Sequence, residues 1–201
     1  MTQPYRGFAH SREEFQDLVE RTLALARAQG ASDAVAEVSE GAGLSVSARL
    51  GKLENVERNR DKSLGVSLYL GQRRGHASTS DFSDRALRDT VRAAYDIARF
   101  TAEDPCAGLP DEEDLLLEPA PDLDLFHPWA IDAQGATELA LRCEAAALAT
   151  DRRISNSEGA AVSAQQSHFY AGNTRGFRGG YASSRHSLSV APIAGRGAGM
   201  Q

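Results

Sequence analysis

Apolar and polar positions change their spacing several times along the chain. Phe15, Leu18, Val19, Thr22, Leu25 and Ala26 recur at intervals of three and four, which places them on one helical face. Ser11 and Glu14 just ahead predict a capping box, and Gly30 predicts a left-handed stop. Between Asp33 and Ser80 the period falls to two. Val46, Ala48 and Leu50 alternate with Ser45, Ser47 and Arg49, and Leu64, Val66, Leu68 and Leu70 alternate most sharply. Such alternation predicts strands with one face in a core. With tight turns at Gly51-Lys52 and Gly71-Gln72, the region reads as an antiparallel meander of four or five strands, too closely connected for parallel crossovers.

A helical period returns after Ser83, with Ala86, Leu87, Thr90, Val91, Ala94, Ala98 and Thr101 as the inner stripe and Pro105 beyond its end. From Glu103 to Pro128 nine acidic residues and five prolines occur without a Lys or Arg. Prolines at that density exclude a helix interior or a central strand. A disordered linker is one reading. The favoured one is an extended excursion across the domain, because Leu115 to Leu117, Leu125, Phe126 and Trp129 are costly to leave wet. A third, Ala-rich helix is predicted from about Asp132 to Ala149, with Leu139, Cys143 and Ala146 on one side.

The stretch from Arg153 to Ser184 mixes Gly and Ser, as a linker would, with Val162, Phe169, Tyr170, Phe177 and Tyr181, as strands would. Asn173-Thr174-Arg175-Gly176 is turn chemistry. The expectation is therefore a long hairpin, Ala160 to Ala171 against Phe177 to Ser184, followed by a third strand around Arg185 to Ile193. These pieces make an α+β chain: a curved, mainly antiparallel sheet flanked by three helices. All 201 residues are read as one domain.

Composition adds exclusions. The net charge of −6 disfavours nucleic acid, whose binding depends on Lys and Arg neutralising phosphates. No apolar run is long enough to span a bilayer, and the first fifteen residues lack a signal-peptide core. Cys106 and Cys143 form no CxxC pair and fit a reducing cytosol.

Candidate chemistry is sparse. Arg175 to Gly180 leads into no helix and Gly195 to Gly199 is followed only by Met200 and Gln201, so neither meets the context of a phosphate loop. His10, His76, His127, His168 and His186 include no helical HExxH pair. His168 and His186 lie on strands that could be neighbours and share a metal, although solvated or hydrogen-bonded sheet histidines are the commoner case. Neither cysteine carries a local signature of a nucleophile, no GxSxG elbow occurs, and the acidic run lacks calcium-loop spacing. Arg58-Asn59-Arg60-Asp61-Lys62 and Arg73-Arg74 are basic clusters that could anchor a peptide carboxylate or an acidic partner, against a default of exposed turn residues. No catalytic or metal residue is assigned, and substrate-binding residues remain unidentified.

The segments from Gly51 to Asp111 (GKLENVERNRDKSLGVSLYLGQRRGHASTSDFSDRALRDTVRAAYDIARFTAEDPCAGLPD) and from Asp151 to Gly195 (DRRISNSEGAAVSAQQSHFYAGNTRGFRGGYASSRHSLSVAPIAG) together resemble the N-terminal part of the TldD/PmbA family, most closely its PmbA/TldE branch. The resemblance covers the chain from about Asp33 onward. It implies an N-terminal α/β domain, with a mainly β domain following in relatives. It also implies a cytoplasmic TldD–TldE heterodimer acting as a zinc metalloprotease on peptides and unfolded proteins. Family members process peptide antibiotics and degrade an antitoxin, and an older description makes them modulators of DNA gyrase.

In that family the zinc helix, His-Glu-x-x-x-His, belongs to the TldD branch, and no position here matches it. The resemblance therefore implies no cofactor in this chain, with zinc expected only in a TldD-type partner. Self-association is the alternative to that pairing. The role implied is dimer contact and formation of a substrate chamber. The alternative role is a regulatory binding module of the gyrase-modulator type, without proteolysis. The chain stops where relatives continue, so a truncated or fragmentary form is expected.

Overall fold

The computed structural model describes residues 7–118, 120–195 and 199. Helix α1 (Arg12–Ala28) begins with the expected capping box: the Glu14 amide donates to the Ser11 hydroxyl and the Ser11 amide to the Glu14 carboxylate. Its buried residues are Phe15, Leu18, Val19, Thr22, Leu23 and Ala26, so Leu23 is fully covered and Leu25 only partly. The helix gives way to Gly30, at φ +95°.

Instead of four or five strands, three long ones follow: β1 (Asp33–Arg49), β2 (Lys52–Leu70) and β3 (Arg73–Thr79). The β1–β2 connection is Leu50-Gly51, one residue earlier than the sequence suggests, and both residues have positive φ. The β2–β3 turn is Gly71-Gln72, as expected. Strands β2 and β3 pair antiparallel from Leu64↔Thr79 to Leu70↔Arg73. Helix α2 (Asp84–Phe100) starts at Ser83, whose hydroxyl accepts the Ala86 amide.

The acidic stretch is irregular apart from one 3-10 turn at Glu112–Asp114. Leu116, Leu117, Leu123 and Leu125 are 43–62% exposed, so the expected cover over these leucines is absent. Helix α3 (Ala133–Ala149) has Asp132 as its N-cap and buries Ala136, Ala140 and Glu144. Leu139 and Cys143 are only partly covered and Ala146 is exposed. The true inner stripe steps by four and ends in a carboxylate.

Strand β4 runs from Ile154 to Asn173, earlier and longer than expected, and is followed by the short β5 (Arg178–Gly179) and by β6 (Ala182–Ala194). The Asn173–Gly176 turn forms, with Gly176 at φ +106°. Its return limb differs from the expected uninterrupted strand. Between β4 and β5 the ladder is Ala171↔Gly179 and Gly172↔Arg178, Phe169 donates to the Tyr181 carbonyl, and β6 resumes the pairing with β4 from Ala182 onward. At Gly180 the backbone presses on β4, where an added Cβ would lie 2.1 Å from the Phe169 carbonyl oxygen. The hydrogen-bonded order of the strands is β3-β2-β1-β4-β5, with β6 also paired to β4.

The chain divides into two compact units. The first comprises residues up to Gly41, Asp61–Asp124 and Ser167–Ala182. Its core joins Phe15, Leu18, Val19 and Leu23 of α1 and Leu87, Val91, Ala94 and Ala98 of α2 to Leu64, Val66 and Leu68 of β2. Complete burial of each Leu or Val contributes about 1.5–3 kcal/mol. The second unit comprises Ala42–Arg60, Leu125–Gln166 and the chain from Ser183 onward. Its core is slighter: Leu44, Val46, Ala48, Ala160 and Val162 against Ala136 and Ala140.

Candidate functional site

The N-terminal half of β2 lies in the second unit, with its residues exposed throughout. Strand β3 pairs only with Leu64–Leu70, so Lys52–Arg58 has β1 on one side and no strand among the described residues on the other. Every side chain from Lys52 to Arg60 is exposed, including Leu53 at 50% and Val56 at 40%. An open edge of this kind presents a row of N–H and C=O groups that an incoming extended chain can pair with. Arg58 and Arg60, expected in a turn, are instead carried on this strand.

The end of that hairpin is fixed from α3. The Glu144 carboxylate, 1% exposed, accepts the amides of Leu50 and Gly51, each at 2.9 Å. Burial pushes Glu144 up, but those two amides, the Ser157 hydroxyl and the charge of Arg49 outweigh it and hold the carboxyl below its ordinary range.

A second buried carboxylate organises the first unit. Glu40 lies on the inner face of β1, in register with Ala34, Ala36 and Val38. Its oxygens accept the amides of Ala9 and His10 at 2.9–3.1 Å, and His10 Nδ1 lies 3.2 Å away. His168 Nε2 lies 3.7 Å from the same carboxylate. The His168 ring stacks on Phe15 at 4.3 Å and also meets Phe8. Burial pushes Glu40 up, but the amide and imidazole contacts win and it titrates below the usual carboxylate range. Burial pushes His168 down, against the pull of Glu40. The arrangement ties residues 8–10 to β1 ahead of α1.

These residues do not fit a metal. Glu40 directs its lone pairs at backbone amides, and among the described residues no group of three or more His, Cys, Asp or Glu could hold an ion. The suggested sharing between His168 and His186 fails on surroundings. His168 is in an aromatic core, whereas His186 is exposed against Trp129, ring centroids 5.5 Å apart. Cys106 is exposed and Cys143 lines the smaller core. Arg175 is spent on Asp33, at 2.7 Å, and on the Pro110 carbonyl. Arg73 pairs with Glu103 at 3.2 Å. Of the terminal glycine run, positions 196–198 lie outside the described residues. Glu40 and Glu144 were not singled out from sequence. Their signal was present nonetheless: Glu40 keeps the two-residue parity of its strand, and Glu144 keeps the four-residue step of Ala136 and Ala140.

No helix among the described residues is long and apolar enough to cross a membrane. Family models match two parts of the chain: PmbA/TldA metallopeptidase domain 1 over residues 34–98, and the PmbA/TldA metallopeptidase central domain over residues 126–201. The chain belongs to the PmbA/TldD family.

Within that family it is 49% identical over 174 residues to metalloprotease PmbA of Escherichia coli O157:H7, covering 86% of this chain and 38% of that protein. It is 48% identical over 183 residues to the PmbA homologue of Haemophilus influenzae, covering 91% and 40%. The chain thus spans about two fifths of the length of these relatives. A Bacteroides thetaiotaomicron protein, described as a candidate modulator of DNA gyrase, superposes with a TM-score of 0.81 at 24% identity, over 94% of this chain and 43% of its own. TldE from Thermococcus kodakarensis gives 0.71 at 12% identity, over 91% and 40%. Those two likenesses bear on the fold, and they agree with the three-helix, mostly antiparallel arrangement read from the sequence.

Proposed function

We propose that this chain is part of a PmbA/TldE-type subunit that works with a TldD-type, zinc-bearing partner on peptides and unfolded proteins in the cytoplasm. In this reading it supplies dimer contacts and a wall of the substrate chamber, and the partner supplies the metal. The observation that carries it is the open edge of Lys52–Arg58, with its side chains exposed on both faces. Main-chain pairing along such an edge reads extension and length more than side-chain identity, which suits unfolded substrates. Zinc, when bound by the partner, would polarise the scissile carbonyl and activate water.

The test is copurification of the full-length protein from native extract, with metal analysis and a casein-cleavage assay. A zinc-containing partner, and cleavage only when both subunits are present, supports the proposal. Capture of topoisomerase without zinc, or chelator-sensitive cleavage by the protein alone, overturns it.

A further inference from the structure

An open polar depression of about 370 Å³ lies in the first unit and spans three strands, with Glu37, Arg74, His76 and Ser78 all exposed. Glu37 and Ser39 reach it from β1, Ser63 and Ser67 from β2, and His76 and Ser78 from β3. Ser67 and His76 are direct cross-strand partners, and the Ser67 hydroxyl lies 3.0 Å from His76 Nδ1. The imidazole rests over Gly65, where an added Cβ would approach His76 Cε1 to 3.3 Å. Arg74 donates to the same hydroxyl at 3.1 Å, yet among the described residues no carboxylate pairs with Arg74.

Serine hydroxyl, imidazole and guanidinium together resemble an activated nucleophile, but the setting argues for binding. All three sit on paired strands whose backbone amides serve the ladder, so nothing is positioned as an oxyanion hole. What remains is a site with an imidazole on one flank, a carboxylate on the other and hydroxyls between, and with the Arg74 guanidinium at its rim, on the Ser67 hydroxyl. The backbones of β1 and β3 stand on either side of β2, roughly 10 Å apart at the usual strand spacing. A ligand complementary to this needs an anionic and a cationic end separated by several ångströms. Extended peptides grow by roughly 3.4 Å per residue, so two or three residues match.

We infer that this depression binds short zwitterionic peptides, with the C-terminal carboxylate at Arg74 and His76 and the α-ammonium at Glu37. The guanidinium fork suits a carboxylate, and the serines can receive or donate to the intervening amide. The site does not depend on the protease reading, because binding is measured on this chain directly.

Tri-alanine, its C-terminal amide and its N-acetyl form serve as probes, titrated against the chain with amide shifts recorded by NMR. The unblocked peptide should bind saturably and shift residues around Ser67 and His76. Blocking either end should weaken binding by about tenfold, the loss of one charge-assisted contact. In Arg74→Gln amidation should no longer matter, and in Glu37→Gln acetylation should no longer matter. The wild-type comparison of the three peptides needs no variant and stands alone. Equal affinity for blocked and unblocked forms, shifts confined to other surfaces, or no saturable binding at millimolar peptide would each overturn the inference.

Discussion

The carboxylate of Glu144 on α3 holds the Gly51 amide at 2.9 Å, fixing the turn between β1 and β2 from a helix ninety-three residues away in sequence. Its second oxygen takes the Leu50 amide at the same distance. Glu144→Ala would remove the acceptor of two part-buried turn amides, at a cost on the order of 1–2 kcal/mol. Glu144→Gln keeps one acceptor and should lose less. Because the native carboxyl titrates below its ordinary range, this contribution is complete above the unfolded pKa and fades as pH falls through the folded one. Denaturant melts at pH 7 and at pH 3 and below check both points: wild type should lose more on acidification than Glu144→Gln.

Leu50 itself is strained. It has φ +49°, Gly51 has φ +73°, and the Leu50 side chain is 56% exposed. Two positive φ angles are the requirement of a type I′ turn, for which Asn-Gly is the preferred pair. Leu50→Asn should therefore raise stability by about 1 kcal/mol, since a leucine in the left-handed region costs about that much and buries little here. An unchanged or lower melting temperature would contradict the turn geometry.

The cluster around Glu40 should make the first unit sensitive to acid. His168 is buried and its pKa is lowered, so the folded state takes up its proton less readily than the unfolded chain. Its contribution is complete above the unfolded value of about 6.5 and declines below it. Glu40, also lowered, adds a second loss of the same sign in the carboxylate range. In His168→Leu the first decline should vanish and the second remain. Thermal melts from pH 7.5 to pH 4 distinguish them. A variant whose melting temperature tracks wild type through pH 6 would show that His168 does not titrate on unfolding.

How much of this was legible depends on whether one segment carries its own signal. The α1 capping box, the Ser83 cap and the Gly71-Gln72 and Asn173–Gly176 turns are local, and each forms where the residues indicate. Strand length was not local. Arg58 to Lys62 looks like a turn because it is charged and polar throughout, yet β2 runs through it with all of those side chains exposed. An exposed edge has no buried face to impose alternation. The leucines of the acidic stretch misled in the opposite sense, since hydrophobicity alone does not supply a surface to cover them. Glu40 and Glu144 were readable by parity and spacing, but their partners are backbone amides, which no side-chain pattern announces. Likewise Ser67 and His76 come together only through the β2–β3 register.

Val66 tests the main core directly. It is fully buried in β2, within the core built on α1 and α2. Val66→Asp would place an unpaired charge in that apolar interior, a loss of several kcal/mol, on the order of a small domain's whole stability. Failure to fold, or a melting temperature lowered by well over 10 °C, is expected for the first unit. An unchanged melt would mean the alternation of Leu64, Val66 and Leu68 faces solvent.

The open edge of β2 makes the most direct claim about function, and hydrogen exchange reads it residue by residue. Along Leu64–Leu70 the strand lies between β1 and β3, so amides pointing either way have ladder partners and should exchange slowly. Along Lys52–Arg58 β1 is the one strand paired among the described residues, and successive amides of a strand point to opposite sides. Protection there should alternate, with every second amide exchanging fast. Adding a saturating unfolded substrate, or the partner subunit, should slow the unprotected set and leave its neighbours unchanged, as expected when a new strand forms. Slow exchange at all of Lys52–Arg58 in the chain alone would mean the edge is already covered. Alternating protection that neither substrate nor partner alters would remove the edge as the docking element.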